Sequence, residues 1–328
     1  MNKFKFYFFV FCSTIILFSC NKSDGADEIV IRDFDVQYQD DMVMIEDYLT
    51  THYITNIDAS PTQDFEIRRI TTTENFPSMM SKFVAAGVVS EMYPQLRKKA
   101  FVYKDKTYEI YYMKLRADNT DPTTLTPSRV DGVLSAYKGS YLHNDTDVNT
   151  AVTTLNATVF EYTPFPVDFL TLDLAVRGWT EVFPLFKAGN KVFVDGQPTM
   201  YNDFGAGVVF IPSSFAYFNR GQFAASTGVT IPSYSPLVFT FKLLEVERAD
   251  QDLDGVLSNE EDLNQDGDFT NDDTDGDTVQ NLYDVDDDGD GYLTKYEVHK
   301  DALGVIIFED ADNDGIANYL DADSHPIN

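Results

Sequence analysis

Hydrophobic positions recur with two different periods along the middle of the chain. Over residues 34–54 they fall three or four residues apart, the spacing of one helix face, at Tyr38, Met42, Ile45 and Leu49. We expect a helix there and a second helix over residues 79–98, which ends near Pro94 because proline interrupts a helix. Three roles are open for this helical segment: a dimerising arm, a cap on the domain that follows, or, as the pattern favours, a packed accessory segment.

From Tyr108 onwards the pattern changes to short β-rich runs bounded by Gly, Pro, Asn and Asp. One short helix is expected between Gly178 and Gly189, and surface loops over residues 143–158 and 195–207. This pattern predicts an α+β fold in which an antiparallel sheet wraps around one short helix. The predicted strands are Tyr108–Leu115, Val133–Leu142, Phe169–Leu174, Lys191–Val194, Val208–Ile211 and Leu237–Val246.

The first twenty residues have the layout of a secretory signal. Lys3 and Lys5 precede an apolar run that is too short for a comfortable membrane span. The ending Leu17-Phe-Ser-Cys20 resembles a bacterial lipobox, which implies that Cys20 becomes the lipidated first residue. The alternative is a plain signal peptide cut elsewhere, or an uncleaved anchor.

The resemblance to a lipobox implies a place for the mature protein. It would be lipid-anchored to the outer membrane in a bacterial cell envelope, and residues 21–28 would be a polar tether. The acidic stretch in this tether resembles a Bacteroidetes surface-export signal, and the periplasmic and surface faces both stay open. Removal of Cys12 with the signal leaves no cysteine pair for a disulfide.

Charge is distributed very unevenly along the chain. The formal net charge is −30, and residues 250–328 contain 25 acidic residues against two lysines. No basic region suggests a nucleic-acid partner. Hydrolase chemistry is also disfavoured, because the four histidines show no metal-ligand spacing and no Gly-x-Ser-x-Gly motif occurs.

The acidic region repeats a twelve-residue pattern that suits a hard cation. Oxygen-bearing side chains stand at positions 1, 3, 5, 9 and 12, glycine stands at position 6, and position 7 offers its backbone carbonyl. Ca²⁺ prefers six to eight oxygen ligands, which such a loop supplies. We number the five copies in chain order as loop 1 (250–261), loop 2 (262–273), loop 3 (273–284), loop 4 (286–297) and loop 5 (310–321).

Side-chain ligands are predicted in all five loops, and Asp273 is shared by loops 2 and 3. Thr278 replaces the glycine in loop 3. The predicted ligands are Asp250, Asp252, Asp254, Ser258, Glu261, Asp262, Asn264, Asp266, Asp273, Asp275, Asp277, Asn281, Asp284, Asp286, Asp288, Asp290, Glu297, Asp310, Asp312, Asp314, Asn318 and Asp321, with backbone carbonyls from Val256, Asp268, Tyr292 and Ile316.

Loops 3 and 5 resemble thrombospondin type 3 repeats. Paired EF-hands would need an amphipathic helix on each side of every loop, whereas these loops nearly abut. The resemblance therefore implies a string of calcium-ordered loops. We expect calcium to stiffen this tail into a spacer or adhesive rod, and metal-free repulsion to keep it open.

A second resemblance covers residues 105–248. The segments that carry it follow the order seen in FKBP-type peptidyl-prolyl isomerases: Ala136-Tyr-Lys-Gly139, Phe160-Glu161, Ala175-Val-Arg-Gly-Trp179, Phe186-Lys-Ala-Gly189, Ile211-Pro-Ser-Ser-Phe-Ala-Tyr217, Ile231-Pro-Ser-Tyr-Ser-Pro-Leu-Val-Phe239 and Leu243-Leu-Glu-Val246. The resemblance implies an FKBP-like fold and an isomerase of X–Pro bonds in exported polypeptide clients, with no cofactor for catalysis.

The same resemblance implies roles for individual residues. Trp179 would form the floor under the proline ring, and Tyr217 would hydrogen-bond a substrate carbonyl together with the backbone N–H of Val176. Glu161 would stand near the twisted carbonyl. The remaining pocket residues would be Tyr137, Phe160, Phe169, Ile231 and Phe239, with Val176 also lining the wall.

Three departures from the family leave a second function open, one of them an insertion over about residues 195–207 that splits a hairpin. Phe218 stands where the family has glycine, and Glu161 is one methylene longer than the family's aspartate. A silent peptide-binding or structural lipoprotein is the alternative to an isomerase. Four segments are predicted: the signal (1–20), the tether and helical accessory segment (21–104), the FKBP-like domain (105–248) and the calcium-binding tail (249–328).

Overall fold

The computed structural model describes residues 30–55, 65–73, 75–302 and 304–324. The signal segment, Cys20 and the tether lie outside the described residues. The described residues from 33 onwards form one compact unit, and all the elements below belong to it. No helix in the described ranges is long and apolar enough to cross a membrane.

The helices and strands of the described residues follow one another in a mostly β order. The helices are α1 (Phe34–Thr51) and α2 (Arg177–Val182). The strands are β1 (His52–Thr55), β2 (Glu66–Arg69), β3 (Gln95–Tyr103), β4 (Lys106–Lys114), β5 (Gly132–Thr146), β6 (Thr153–Thr163), β7 (Leu170–Thr171), β8 (Asn190–Val192), β9 (Met200–Asn202), β10 (Gly205–Ile211), β11 (Gln222–Ala224), β12 (Val229–Ile231), β13 (Leu237–Glu247), β14 (Val298–Lys300) and β15 (Ile306–Phe308).

A seven-stranded antiparallel sheet forms the centre of the molecule. Its strands run in the order β3-β4-β10-β13-β5-β6, and β7 pairs with the start of β5. The non-sequential neighbours bring β10 and β13, which are far along the chain, between β4 and β5. The α+β class and the antiparallel sheet around a short helix, which the sequence predicted, are confirmed.

The two helices cover opposite faces of this sheet. Two consecutive residues of β10, whose side chains point to opposite faces of the sheet, contact different helices. The ring of Phe210 faces Tyr48 of α1, and Ile211 faces Gly178 of α2. A Cβ at Gly178 would lie 2.4 Å from Ile211, so only glycine permits this approach of α2. The sequence predicted cover on one face only, and the second layer comes from α1.

Helix α1 forms as predicted and is fixed at both its start and its middle. The side chain of Asp33 accepts hydrogen bonds from the N–H groups of Asp35 and Val36, which caps the first turn. Further along, buried Asp41 accepts two hydrogen bonds from Ser213, through its N–H at 2.7 Å and its hydroxyl at 2.6 Å. This packing agrees with a cap or a packed accessory segment, the two roles in which the segment lies on the domain.

The predicted helix over residues 79–98 is wrong. Only Met80–Lys82 make a single 3₁₀ turn, and Gln95 begins β3. The segment from Gln95 is a strand because it pairs with β4 in a hairpin. Lys104 and Asp105 form the two-residue turn of this hairpin, and both take the positive φ (49° and 62°) that such a turn requires. The central sheet therefore takes a strand from before residue 105, and the four-segment division stays a prediction.

Two predicted loops are also partly wrong. Strand β5 continues to Thr146 and β6 begins at Thr153, so most of 143–158 forms a polar ribbon. Within 195–207, β9 pairs with β8 and β10 begins at Gly205. The ends of β5 and β6 and strand β9 are mostly exposed and carry no hydrophobic alternation, and the start of β10 is rich in glycine, so the sequence pattern misses strands that ladder hydrogen bonds hold. Of the predicted strand Phe169–Leu174, only Leu170–Thr171 pairs in the sheet.

The Asp41 contact gives a first testable prediction. Asp41→Ala should lower the free energy of unfolding by about 1–3 kcal/mol, because the buried donors of Ser213 lose their acceptor. Urea unfolding followed by circular dichroism measures the change. The control, Asp47→Ala, removes an exposed carboxylate from the same helix and should change stability by less than about 0.5 kcal/mol. If the two variants lowered the free energy of unfolding equally, the hydrogen bonds from Ser213 to Asp41 would not be what stabilises α1 on the sheet.

Candidate functional site

Helix α2 places the only tryptophan of the chain against the centre of the sheet. The indole of Trp179 stacks on Phe183 at 4.6 Å and meets the rings of Tyr137 and Phe239 edge-on at 5.0 and 5.1 Å. Such edge-to-face pairs add stabilisation beyond burial. Trp179 is 4% exposed, and its Nε1 has no hydrogen-bond partner in the described chain.

A carboxylate and two tyrosines adjoin this aromatic cluster. The Tyr137 hydroxyl donates to Glu161 Oε1 at 2.7 Å. Burial, together with the hydrogen bond to Glu161, raises the pKa of Tyr137, and burial with the charge of Glu161 raises the pKa of Tyr217. Both phenols are therefore protonated at neutral pH. The Tyr217 hydroxyl has no partner among the described residues, whereas Glu161 is already engaged by Tyr137.

The other predicted pocket residues lie at different depths. Phe160 and Ile231 are each 1% exposed, and the Phe160 ring lies 5.6 Å from that of Phe239. Phe169 is 36% exposed and makes no ring contact with the cluster in the described chain. Val176 is partly buried and directly precedes α2. Residue contacts thus bring together Tyr137, Phe160, Glu161, Trp179 and Phe239, with Tyr217 beside Glu161.

Phe218 keeps the backbone conformation that glycine would favour. Its φ is +44°, in the left-handed region that costs energy for a side chain with a Cβ. Its ring packs on Phe34 of α1 at 5.5 Å and on Tyr234 at 5.3 Å. The added helix α1 therefore supplies contacts that offset the strain of this departure, a compensation that the local sequence does not reveal.

The five acidic loops share one hydrogen-bonding arrangement. In loop 1, Asp252 accepts from the N–H of Asp254 at 3.2 Å, and Asp254 accepts from the N–H of Val256 at 2.8 Å. The same two bonds recur at positions 3, 5 and 7 of the other loops. At position 6, four glycines take positive φ, and Thr278 takes 84° in loop 3. No α-helix flanks a loop in the described tail, which agrees with a string of loops.

The side chain at position 9 closes the loop by a hydrogen bond. In loop 1 the Ser258 hydroxyl accepts from the N–H of Gln251, and Asn281 and Asn318 make the corresponding bond in loops 3 and 5. These side chains close the loop backbone, and because each oxygen has a second lone pair their role as metal ligands stays a prediction. Loop 2 differs further, because Asp272 takes the closing role in place of Thr270.

Carboxylate oxygens converge within these loops. Ligand atoms lie within 4.8 Å of one another in four sets from positions 1, 3 and 5, namely Asp250, Asp252 and Asp254; Asp273, Asp275 and Asp277; Asp286, Asp288 and Asp290; and Asp310, Asp312 and Asp314. A fifth set joins Asp254 and Glu261 to Asp287, which the sequence pattern did not mark. Asp287 stands at position 2 of loop 4, where the repeated pattern has no ligand. Only the contact between the two loops could therefore reveal its place in this set.

Several of these carboxylates are buried without partners. Both oxygens of Glu261 and of Glu297 lack a hydrogen-bond partner, as do single oxygens of Asp250, Asp252 and Asp254. Burial and neighbouring negative charges raise the pKa of Glu261 to about 9 and that of Glu297 to about 8. Buried charge without a partner is costly, so an all-oxygen donor set of this kind fits a hard divalent cation such as Ca²⁺.

Loops 2 and 3 pack on the domain, and the calcium-stiffened spacer or rod stays a prediction. Phe269 and Leu282 form a small apolar cluster with Val130. Arg129 donates to the Gly267 carbonyl at 2.6 Å and to Glu181 of α2 at 2.9 Å. Arg129 therefore links loop 2 of the tail to α2, the helix that carries Trp179.

Comparisons with known proteins match the two parts of the chain separately. Residues 251–308 match the family model described as BamM C-terminal. FkpA from Escherichia coli is 23% identical over 42% of this chain and 48% of its own length, with a TM-score of 0.27. The N-terminal domain of FKBP42 from Arabidopsis thaliana is 15% identical over 48% of this chain and 99% of its own, with a TM-score of 0.29. A multi-domain immunophilin from Arabidopsis thaliana is 13% identical over 48% of each chain, with a TM-score of 0.28.

The three matched structures each cover less than half of this chain. The chain spans about half the length of FkpA and of the multi-domain immunophilin. No curated protein sequence matches it. With TM-scores this low, the fold assignment rests on the sheet order and helix packing described above.

The raised pKa values predict how the calcium-free tail responds to pH. Glu261 and Asp287 have pKa values of about 9 in the folded chain, far above the usual carboxyl range. The folded tail therefore binds more protons than the unfolded one, and its stability should fall as pH rises from about 4 to about 9. Hydrogen exchange of residues 250–324 in EDTA, at about pH 5 and pH 8, measures this after correction for intrinsic exchange rates.

Saturating calcium is the control for that experiment. Calcium should protect the tail at the higher pH, because the cation replaces the protons that neutralise the carboxylates. If protection of the tail from hydrogen exchange in EDTA increased with pH, the burial of the Glu261 and Asp287 carboxyl groups would be contradicted.

Proposed function

We propose that this chain is an FKBP-type peptidyl-prolyl isomerase acting on X–Pro bonds of exported polypeptides. The observation that carries the proposal is the aromatic cluster around Trp179, with Tyr137 and Phe239 edge-on to the indole. Beside it stands the partly buried Tyr217, whose hydroxyl has no partner in the described chain. An apolar surface with an available phenolic donor suits a proline ring and its neighbouring carbonyl.

The chemistry requires no nucleophile. Rotation about a prolyl amide has a barrier of about 18–20 kcal/mol because twisting breaks the C–N resonance. Since cis and trans X–Pro bonds differ little in free energy, the limitation is kinetic. A site accelerates rotation if it binds the twisted, less polar amide better than the planar one. A preference of about 3–5 kcal/mol gives a hundred- to several-thousandfold gain.

Individual residues take the following roles in this proposal. Trp179 supports the proline ring, and Tyr137 and Phe239 enclose it. The Tyr217 hydroxyl and the N–H of Val176 donate to substrate carbonyls. Glu161 accepts from the Tyr137 hydroxyl through Oε1 and so orients that wall, and its other carboxylate oxygen stands near the rotating carbonyl.

We propose further that the tail binds Ca²⁺ and that the protein is lipid-anchored in a bacterial envelope. The calcium proposal is supported by the five loops with a common hydrogen-bond arrangement and by their unpartnered buried carboxylates. The anchor proposal rests on the lipobox-like ending at Cys20. The BamM C-terminal match over residues 251–308 supports an association with the outer membrane.

A peptide-binding protein without isomerase activity is the second candidate. The observation that favours it is the closed state of the cluster, since Trp179 is 4% exposed and Phe160 and Ile231 are 1% exposed. The Tyr137 hydroxyl holds Glu161 through Oε1, which fixes the carboxylate against the wall of the cluster. Such a domain would hold prolyl segments without lowering the rotation barrier.

An exchange measurement separates the two functions. Residues 22–328, with calcium, should accelerate cis–trans exchange of an Ala-Pro-Phe peptide as measured by NMR. Tyr217→Phe should lower kcat/KM by up to about tenfold, because it removes one hydrogen bond to the substrate. Trp179→Ala should abolish most of the acceleration, since the proline loses its support.

Tyr296→Phe is the matched control, because Tyr296 is an exposed tail tyrosine outside the cluster. It should leave the rate unchanged. Peptide binding without any acceleration by the folded wild-type chain would establish the second candidate. Acceleration insensitive to both Tyr217→Phe and Trp179→Ala would place the site elsewhere.

A further inference from the structure

Asp287 is the least expected member of the acidic clusters. It occupies position 2 of loop 4, where the repeated pattern has no ligand. Its side chain is 1% exposed, and neither of its oxygens has a hydrogen-bond partner. A carboxylate buried in this way needs a positive partner, and no ion pair reaches it in the described chain.

The carboxylate of Asp287 points at loop 1. One oxygen each from Asp254, Glu261 and Asp287 lie within 4.8 Å of one another, and all three residues are 1% exposed. Calcium binds oxygen at about 2.4 Å, so a single ion fits between oxygens at such separations. Both oxygens of Glu261 and one oxygen of Asp254 are also without hydrogen-bond partners.

Loop 4 holds Asp287 in a defined place. The N–H of Asp287 donates to the Thr294 hydroxyl at 3.1 Å, which is the closing bond of its own loop. Loop 1 lies close by, because a Cβ at Gly255 would come within 3.4 Å of Val298, directly after loop 4. The position of the carboxylate therefore depends on the folding of loop 4, while its target belongs to loop 1.

We propose that Asp254, Glu261 and Asp287 jointly hold one divalent cation, calcium in the first instance, which joins loops 1 and 4. This inference rests on the proposal that the tail binds calcium and adds a specific ligand from outside loop 1. One ion then orders two loops that are separated by loops 2 and 3. Calcium binding at loop 1 should consequently depend on an intact loop 4.

Calcium titration of residues 22–328 by calorimetry, with stoichiometry from native mass spectrometry, tests the site. Asp287→Asn should lose one ion or weaken one binding step by at least about tenfold, since even indirect partners of a metal contribute that much. Asp323→Asn is the matched control, because it removes an exposed tail carboxylate and the same charge. It should leave stoichiometry and affinities unchanged.

Thermal unfolding separates a ligand from a residue that merely supports the fold. In EDTA at neutral pH, Asp287→Asn should be at least as stable as wild type, because the cost of burying a carboxyl group without a partner is gone. In saturating calcium it should be less stable than wild type. Equal destabilisation in both conditions, or calcium binding identical to Asp323→Asn, would overturn the shared site. Absence of calcium binding by the wild-type chain would overturn the calcium proposal itself.

Discussion

The alternation of side chains along the central strands is the constraint on which the rest of this domain depends. Because β10 and β13 are covered on both faces, successive residues of each strand enter different cores. Phe239 and Phe241 face α2, where they meet Trp179 and Phe183. A shift of one residue in this register would exchange the two cores, so the aromatic cluster exists only in the observed pairing.

The tail follows the opposite physical rule. Its loops fold around carboxylates instead of apolar side chains. In the small buried apolar cluster between the tail and the domain, Phe269 and Leu282 of the tail pack on Val130. Side-chain to backbone hydrogen bonds give each loop its shape, while unpartnered oxygens oppose that shape in the absence of a cation. The free energy of ion binding is therefore the term that completes the folding of the tail.

The domain and the tail meet at α2. Arg129 contacts Gly267 in loop 2 and Glu181 in α2, and the Tyr283 hydroxyl donates to Asp173 at 2.6 Å. Asp173 lies three residues before Val176, which supplies a proposed substrate donor. The acidic loops thus lie next to the segment that carries Trp179 into the cluster.

The sequence by itself determined what depends on local spacing. The helix at 34–51, the α+β class and the five loops follow from periodicity, turn residues and oxygen positions, which act over a few neighbours. Only the tertiary structure decided the features that require distant residues to meet. Pairing with β4 made a strand where a helix was predicted near Gln95, α1 covered the second face of the sheet and supported Phe218, and Asp287 reached loop 1. Each of these depends on the free energy of burial or of charge between segments far apart in the chain, and such terms leave no periodic signal in the sequence.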